Sequence, residues 1–173
     1  KRWIDNAVPF VALVILVVVF GTIVPDFLSA SSLSDLGRQI AEFGLVVLGL
    51  SIVLMSGGID LSVGSIFTLA VLFSLIGTNV ENWSIPLTFV SVLVLGVVCG
   101  AINGFLIGYL RLRAFLTTLV TLIIFRSIYD ILFLKMSTAI VAGFSDSDLL
   151  LFIGSGDVLG IPFSLWVALV IAV

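Results

Sequence analysis

The segment from Met55 to Ser65, MSGGIDLSVGS, holds a single carboxylate, Asp60, among small residues and between two apolar runs. Gly57 and Gly58 can adopt the positive φ that ends a helix, and Asp60 or Ser62 can accept hydrogen bonds from free N–H groups at the start of the next one. Such a pattern generally indicates a turn between two helices in which a side chain caps the start of the second helix. A turn of small residues with one carboxylate also lets helices approach and move, as a gate requires.

Catalytic and metal chemistry have few of their usual groups in this chain. It has no histidine, a single cysteine, Cys99, inside an apolar run, and no GxxxxGK[ST] phosphate-binding motif. Without histidine or a cysteine pair, no familiar catalytic or metal-ligand cluster is available. We therefore expect no enzymatic activity, no metal and no cofactor in this chain. The net charge of −3 argues against nucleic acid as a partner.

The composition is typical of an integral membrane protein. Hydrophobic residues make up 61% of the 173 residues and charged residues 10%, and the mean hydropathy of +1.42 is far above that of soluble domains. No linker or low-complexity tract divides the chain, so we predict one membrane domain over residues 1–173. Because the chain begins at Lys1 and stops within an apolar run, we expect it to be a piece of a longer protein.

The uncharged runs predict the membrane spans. A helix needs about 20 residues to cross a ~30 Å hydrocarbon core. Runs of this length satisfy their backbone groups as helices, whereas barrel strands would be about half as long. The predicted fold is an all-α, polytopic transmembrane bundle with about five complete spans and the start of a sixth. The spans are residues 7–24, 33–57, 62–80, 86–110, 114–134 and 160–173.

Charges in the short loops predict the orientation. With a cytoplasmic N-terminus, the basic residues on the inner side are Lys1, Arg2, Arg111 and Arg113. The acidic residues on the outer side are then Asp26, Asp35, Glu81, Asp146, Asp148 and Asp157. Cytoplasmic loops carry an excess of lysine and arginine, so we predict that the N-terminus and the 57–62 turn are cytoplasmic.

A glycine repeat marks one face of the fourth span. Gly96, Gly100, Gly104 and Gly108 recur every fourth residue. Small residues at this spacing generally mark helix contacts, so a packing role is predicted, with a pore lined by glycine backbone as the alternative. Asn103, beside this face, can donate to another helix or face a pathway.

Charged pairs also occur within the spans. Arg126 and Asp130 are four residues apart in the fifth span, as are Arg38 and Glu42 in the second. Ions inside a membrane are costly and persist when they are paired or face water. These residues are therefore interpreted either as i, i+4 salt bridges that reach toward the interface or as the polar lining of an outer vestibule.

Hydroxyl side chains gather near the 57–62 turn. Thr117, Thr118 and Thr121 follow the basic loop, and Ser51 and Ser56 approach a similar depth from the second span. Threonines in membrane helices usually bond their own preceding carbonyls, so no single one indicates a pathway. Their gathering predicts a lining role.

Four motifs resemble one family. SGGIDLSVGS, residues 56–65, resembles the signature of permease subunits of bacterial ABC importers in the ribose and related-sugar branch, which also includes autoinducer permeases. Weaker similarities follow in order at 100–108 (GAINGFLIG), 114–128 (AFLTTLVTLIIFRSI) and 160–166 (GIPFSLW).

The resemblance implies a homodimeric or heterodimeric permease with the type II importer fold and roughly ten spans per subunit, of which this chain is the N-terminal half. It implies an inner gate formed by the 57–62 and 111–117 connections. The gate residues are Gly57, Gly58, Asp60, Ser62, Arg111, Arg113 and Thr117.

The implied partners are cytoplasmic ATPase subunits that carry ATP and magnesium, an extracytoplasmic solute-binding protein, a second permease subunit and the lipid bilayer of a bacterial plasma (inner) membrane. A passive channel or facilitator for a small polar solute is the alternative function. A membrane enzyme or assembly factor is a third class, against which the missing catalytic groups argue.

Overall fold

The computed structural model describes the backbone of residues 2–143 and 148–172 and the side chains of residues 8–143 and 151–172. Lys1, Asp146 and Val173, which entered the predictions above, lie outside the described backbone. The helices are α1 (Arg2–Ile23), α2 (Ala30–Met55), α3 (Val63–Leu75), α4 (Ile85–Gly104), α5 (Ala114–Ala142), α6 (Asp148–Ser155) and α7 (Phe163–Ala172). A short antiparallel hairpin, β1 (Asp157–Val158) and β2 (Ile161–Pro162), precedes α7.

Among the described residues, four helices are long and apolar enough to cross a membrane. They are Ala30–Met55, Val63–Val80, Ile85–Tyr109 and Ala114–Ala142. Val8–Ile23 and Phe163–Ala172 are shorter apolar helices. The prediction of a helical protein with several spans is thereby confirmed, while the count of five spans and the start of a sixth stays a prediction.

The helix of the fifth predicted span extends beyond the predicted end of that span. The sequence prediction stopped at Leu134 because Lys135 follows, yet α5 continues to Ala142. Residues 136–142 are again uncharged, and a single lysine can extend its ammonium toward water while its stem stays on the helix. One charge is therefore not enough to end a helix.

The contacts divide the chain into two compact units, which are described separately. The first is Leu45–Gly154, and the second combines Lys1–Gly44 with Ser155–Val173. In the first unit, α3 packs against both α4 and α5. One cluster of buried side chains joins Leu69, Cys99 and Phe125 from these three helices.

Helices α3 and α4 end in the same way, and these ends place the following loops. Each continues as one π-helical turn, Ile76–Val80 or Phe105–Tyr109. A residue with positive φ then reverses the chain, Asn82 at +53° and Arg111 at +56°. The backbone N–H of Leu112 donates to the carbonyl of Leu106 at 3.2 Å and closes the second of these turns.

In the second unit, the pairing of Arg38 differs from the prediction. Its Nη1 lies 2.7 Å from Oδ1 of Asp35, and its Nη2 lies 3.0 Å from Oδ1 of Asp157. Nη2 also donates to the carbonyl of Ser155 at 2.7 Å. The predicted partner, Glu42, is in none of the ion pairs found among the described residues. The prediction failed because the hairpin brings a carboxylate from a distant part of the sequence to Arg38, and this carboxylate replaces the local i, i+4 partner.

Candidate functional site

The connection between α2 and α3 is a short turn that starts at a glycine. Gly57 follows α2 with φ of +82°, the left-handed region that glycine adopts without strain. The N–H of Gly58 donates to the carbonyl of Val53 at 3.2 Å. The predicted positive φ after the second helix is confirmed for Gly57, whereas Gly58 is not among the glycines with positive φ in the described residues.

The carboxylate of Asp60 organises the start of α3. Its Oδ1 accepts hydrogen bonds from the N–H of Ser62 at 2.8 Å and from the hydroxyl of Ser62 at 2.7 Å. Ser62 occupies the N-cap position, and its own side chain forms no capping bond to the helix. Asp60 and Ser62 were both predicted to cap this helix. Asp60 accepts a hydrogen bond from a backbone N–H at the start of the helix, and Ser62 accepts none through its side chain.

Side chains from two other helices hold this turn. Nδ2 of Asn103 in α4 donates to Oγ of Ser62 at 2.8 Å. Oγ1 of Thr118 in α5 shares its proton between the carbonyl of Ile59 at 3.1 Å and the carbonyl of Ala114 in its own helix at 2.9 Å. The relative exposures of Ser62, Thr118 and Asn103 are 0%, 1% and 5%. We call Ile59, Asp60, Ser62, Asn103 and Thr118 the loop network; it ties the turn to both α4 and α5.

The loop network borders a cavity of about 380 Å³, the loop cavity. Its lining is Val53, Ser56, Gly58, Ile59, Asp60, Gly100, Asn103, Gly104, Ile107, Gly108, Ala114 and Thr118. Oδ1 of Asn103 is buried there and accepts no hydrogen bond from the described residues. A buried acceptor without a donor costs free energy, so this oxygen favours a visiting donor such as water or a hydroxyl group.

The glycine face of α4 is open. A Cβ added at Gly96, Gly100, Gly104 or Gly108 would meet no heavy atom within 4 Å, the helix's own nearby backbone excepted. The last three glycines line the loop cavity, and Gly96 lines a neighbouring cavity of about 560 Å³. The predicted packing contact is therefore not made by another helix of the described chain, because α4 packs through a different face that includes Cys99. A contact with a helix from elsewhere stays a prediction.

The predicted inner-gate residues contribute to the linings of two cavities, and Gly58 and Asp60 line the loop cavity. Arg111, Arg113 and Thr117 line a groove of about 730 Å³ between α4 and α5, the α4–α5 groove. Thr121, predicted to line a pathway, lines the same groove. Asp60 is in none of the ion pairs found among the described residues, so neither arginine is its salt-bridge partner. The resemblance implied one gate from these two connections, and they do meet at one point, since a Cβ added at Gly58 would lie 3.6 Å from the Cβ of Ala114. Their action as one gate stays a prediction.

The remaining predicted side chains follow local rules. The hydroxyls of Ser51 and Ser56 donate to the carbonyls of Val47 and Val53 at 2.7 and 2.6 Å. Thr121 likewise donates to the carbonyl of Thr118 at 3.3 Å. These bonds match the expectation that hydroxyls in membrane helices bond their own backbone.

The charged pair of α5 is present as predicted from its spacing. Nε of Arg126 lies 3.3 Å from Oδ1 of Asp130, and the two side chains are 55% and 54% exposed. The guanidinium also lies 5.0 Å from the ring centroid of Tyr129, a contact that the sequence analysis missed. The spacing of Arg126 and Tyr129 could have predicted this contact, since residues three apart on a helix are neighbours. A role in lining a pathway stays a prediction for this pair.

Comparisons with known proteins agree with the motif resemblance. A family model described as branched-chain amino acid transport system / permease component matches residues 32–173. A ribose import permease protein of Haemophilus influenzae is 34% identical over 169 residues, which are 96% of this chain and 51% of that protein. A xylose transport system permease protein of Escherichia coli is 38% identical over 120 residues, 68% of this chain and 30% of that protein.

A third relative, a galactofuranose transporter permease protein of Escherichia coli, is 28% identical over 169 residues, 93% of this chain and 48% of that protein. The chain thus spans about half the length of the ribose and galactofuranose permeases that it matches. No solved structure matches it significantly. The resemblance expected from residues 56–65 is confirmed.

Proposed function

The chain belongs to the branched-chain amino acid transport system / permease component family, and on that premise we propose that it forms part of the membrane-spanning permease of an ATP-driven sugar importer. The observation that carries the proposal is the extent of the similarity. The ribose and galactofuranose permeases match 96% and 93% of the chain, so both alignments include the loop network in its middle.

The solute in this proposal is a sugar or a similar small hydroxylated molecule. The names of the relatives support this class, since they are permeases for ribose, xylose and galactofuranose. The loop network is proposed as the inner gate of the pathway. Its turn of small residues is held by only a few side-chain bonds, so a movement of α4 or α5 would be transmitted directly to Asp60 and Ser62.

The proposed importer needs components that this chain does not supply. Cytoplasmic ATPase subunits would bind ATP and magnesium, an extracytoplasmic binding protein would deliver the solute, and a second permease subunit would complete the pathway. The chain itself is proposed to be non-enzymatic and multi-pass in the bacterial inner membrane.

Co-isolation of the full-length protein with an ATPase tests this assignment. We expect affinity-tagged protein, extracted in mild detergent from its native membrane, to retain an ABC-type ATPase in stoichiometric amount. An isolated permease without any ATPase, under conditions that keep a known sugar importer intact, would instead favour the passive facilitator.

The proposed orientation places the N-terminus and the 57–62 turn in the cytoplasm, because Arg111 and Arg113 are basic and Glu81 is acidic. In a Cys99→Ala background, a cysteine at Leu112 should react with a membrane-impermeant maleimide only in inverted vesicles. A cysteine at Glu81 should react only from outside. The reverse pattern of labelling would show that the orientation is inverted.

A further inference from the structure

The α4–α5 groove joins a cationic mouth to an apolar wall. The groove has a volume of about 730 Å³. Arg111, Leu112 and Arg113 line one end, and apolar side chains of α4 and α5 line most of the rest. Its position between two predicted spans makes it a surface that faces lipid or another membrane component.

The two arginines at the mouth are available to an anion. Both are exposed, and neither is in the ion pairs found among the described residues. The left-handed turn at Arg111, with φ of +56°, fixes the loop that carries them. A left-handed conformation costs a residue other than glycine roughly 1–2 kcal/mol. Two exposed guanidinium groups therefore belong to one short loop, and neither is paired with a carboxylate among the described residues.

The wall of the groove suits a hydrocarbon chain. Leu116, Val120, Ile124 and Ile128 recur every fourth residue along α5 and line the groove. They extend over about 18 Å of helix axis, close to the roughly 15 Å of one leaflet's hydrocarbon layer. The hydroxyl of Thr117, which also lines the groove, already donates to the carbonyl of Arg113 at 3.0 Å.

From this juxtaposition we propose that the α4–α5 groove is a binding site for an anionic phospholipid, with its phosphate at Arg111 and Arg113 and an acyl chain along the wall of α5. The charge of the mouth complements a phosphate, and arginine is suited to it through paired N–H donors. Basic pockets between membrane helices are known to bind anionic head groups. A sugar would find few free polar groups below the mouth, and a neutral helix would leave both arginines without a partner.

Lipid retention by the full-length protein tests the proposal. The protein is purified from membranes that contain phosphatidylglycerol and phosphatidylcholine, and bound lipid is counted by native mass spectrometry. We expect retention of phosphatidylglycerol over phosphatidylcholine, and about a fivefold loss for each of Arg111→Gln and Arg113→Gln. The control is Arg126→Gln, which removes an arginine paired with Asp130 on the same helix and should not change retention.

A second pair of variants tests the acyl wall while leaving the arginines in place. Val120→Trp fills the groove and should reduce retention of phosphatidylglycerol to a similar extent. Leu119→Trp adds the same side chain at a neighbouring position that does not line the groove and should retain lipid normally.

Glycerol 3-phosphate should not displace the lipid, since it lacks the acyl chains. Displacement by this head group alone would show a simple anion site. Equal retention of both lipids, or wild-type retention by both Arg111→Gln and Arg113→Gln, would overturn the proposal and leave the arginines as determinants of orientation. These readouts do not depend on which solute is transported.

Discussion

Replacement of Ser62 by alanine should lower the free energy of unfolding of the full-length protein by roughly 2–6 kcal/mol. The hydroxyl of Ser62 donates to the carboxylate of Asp60 and accepts from Nδ2 of Asn103, and the residue is fully buried. The substitution removes a hydrogen bond to a charged group and also leaves a buried amide donor without its acceptor. Each of these losses costs about 1–3 kcal/mol. The change is measured as a loss of stability in thermal or denaturant unfolding in detergent.

The matched control is Ser51→Ala. Ser51 bonds only the carbonyl of Val47 in its own helix, so its replacement should change stability by less than about 0.5 kcal/mol. The double variant Ser62→Ala with Asn103→Leu should be more stable than Ser62→Ala alone, because it removes the orphaned donor as well. If the changes in the free energy of unfolding caused by the two single substitutions add exactly in the double variant, the Asn103–Ser62 hydrogen bond contributes nothing to stability.

The substitution Asp60→Asn separates the capping role of Asp60 from the role of its negative charge. In Asp60→Asn, the remaining side-chain oxygen can still accept from the N–H and hydroxyl of Ser62, and asparagine caps about as well as aspartate. Expression and assembly should therefore be near normal. Bonds to a charged acceptor exceed those to a neutral one by about 1 kcal/mol, which corresponds to roughly a fivefold change in a gating equilibrium. We expect sugar uptake to fall about fivefold relative to ATP hydrolysis.

Glu42→Gln is the control for the removal of one carboxylate. Glu42 is exposed and is in none of the ion pairs found among the described residues. The Glu42→Gln variant should take up sugar and hydrolyse ATP at wild-type rates. If Asp60→Asn also has unchanged uptake and hydrolysis, Asp60 acts as a cap and its charge has no part in gating.

Features of the fold that depend on nearby residues were predictable. Apolar runs located the four helices that can cross a membrane, and Gly57 adopts the positive φ that its position after an apolar run indicated. The Arg126–Asp130 pair and the self-bonded hydroxyls also follow from helical spacing. Each of these features is set within one or two turns of the chain.

Features that depend on the relative placement of helices were not predictable. Asn103 reaches Ser62 across 41 positions and Arg38 reaches Asp157 across 119. A helical pattern shows which residues share a face, but several partner faces and rotations can bury the same apolar area. The glycine face of α4 was expected to pack because of the spacing of its small residues, yet within the described chain it borders open cavities.

ATP-dependent uptake into proteoliposomes tests most directly that this chain is part of a sugar importer's permease. The full-length protein is reconstituted with its co-isolated ATPase, and radiolabelled ribose, xylose and galactofuranose are offered with their binding proteins. We predict that at least one sugar accumulates above its outside concentration, only when ATP is present, and that the liganded binding protein stimulates hydrolysis. Entry of the sugars that is independent of ATP and stops at equal concentrations on both sides would contradict this function and identify a passive facilitator.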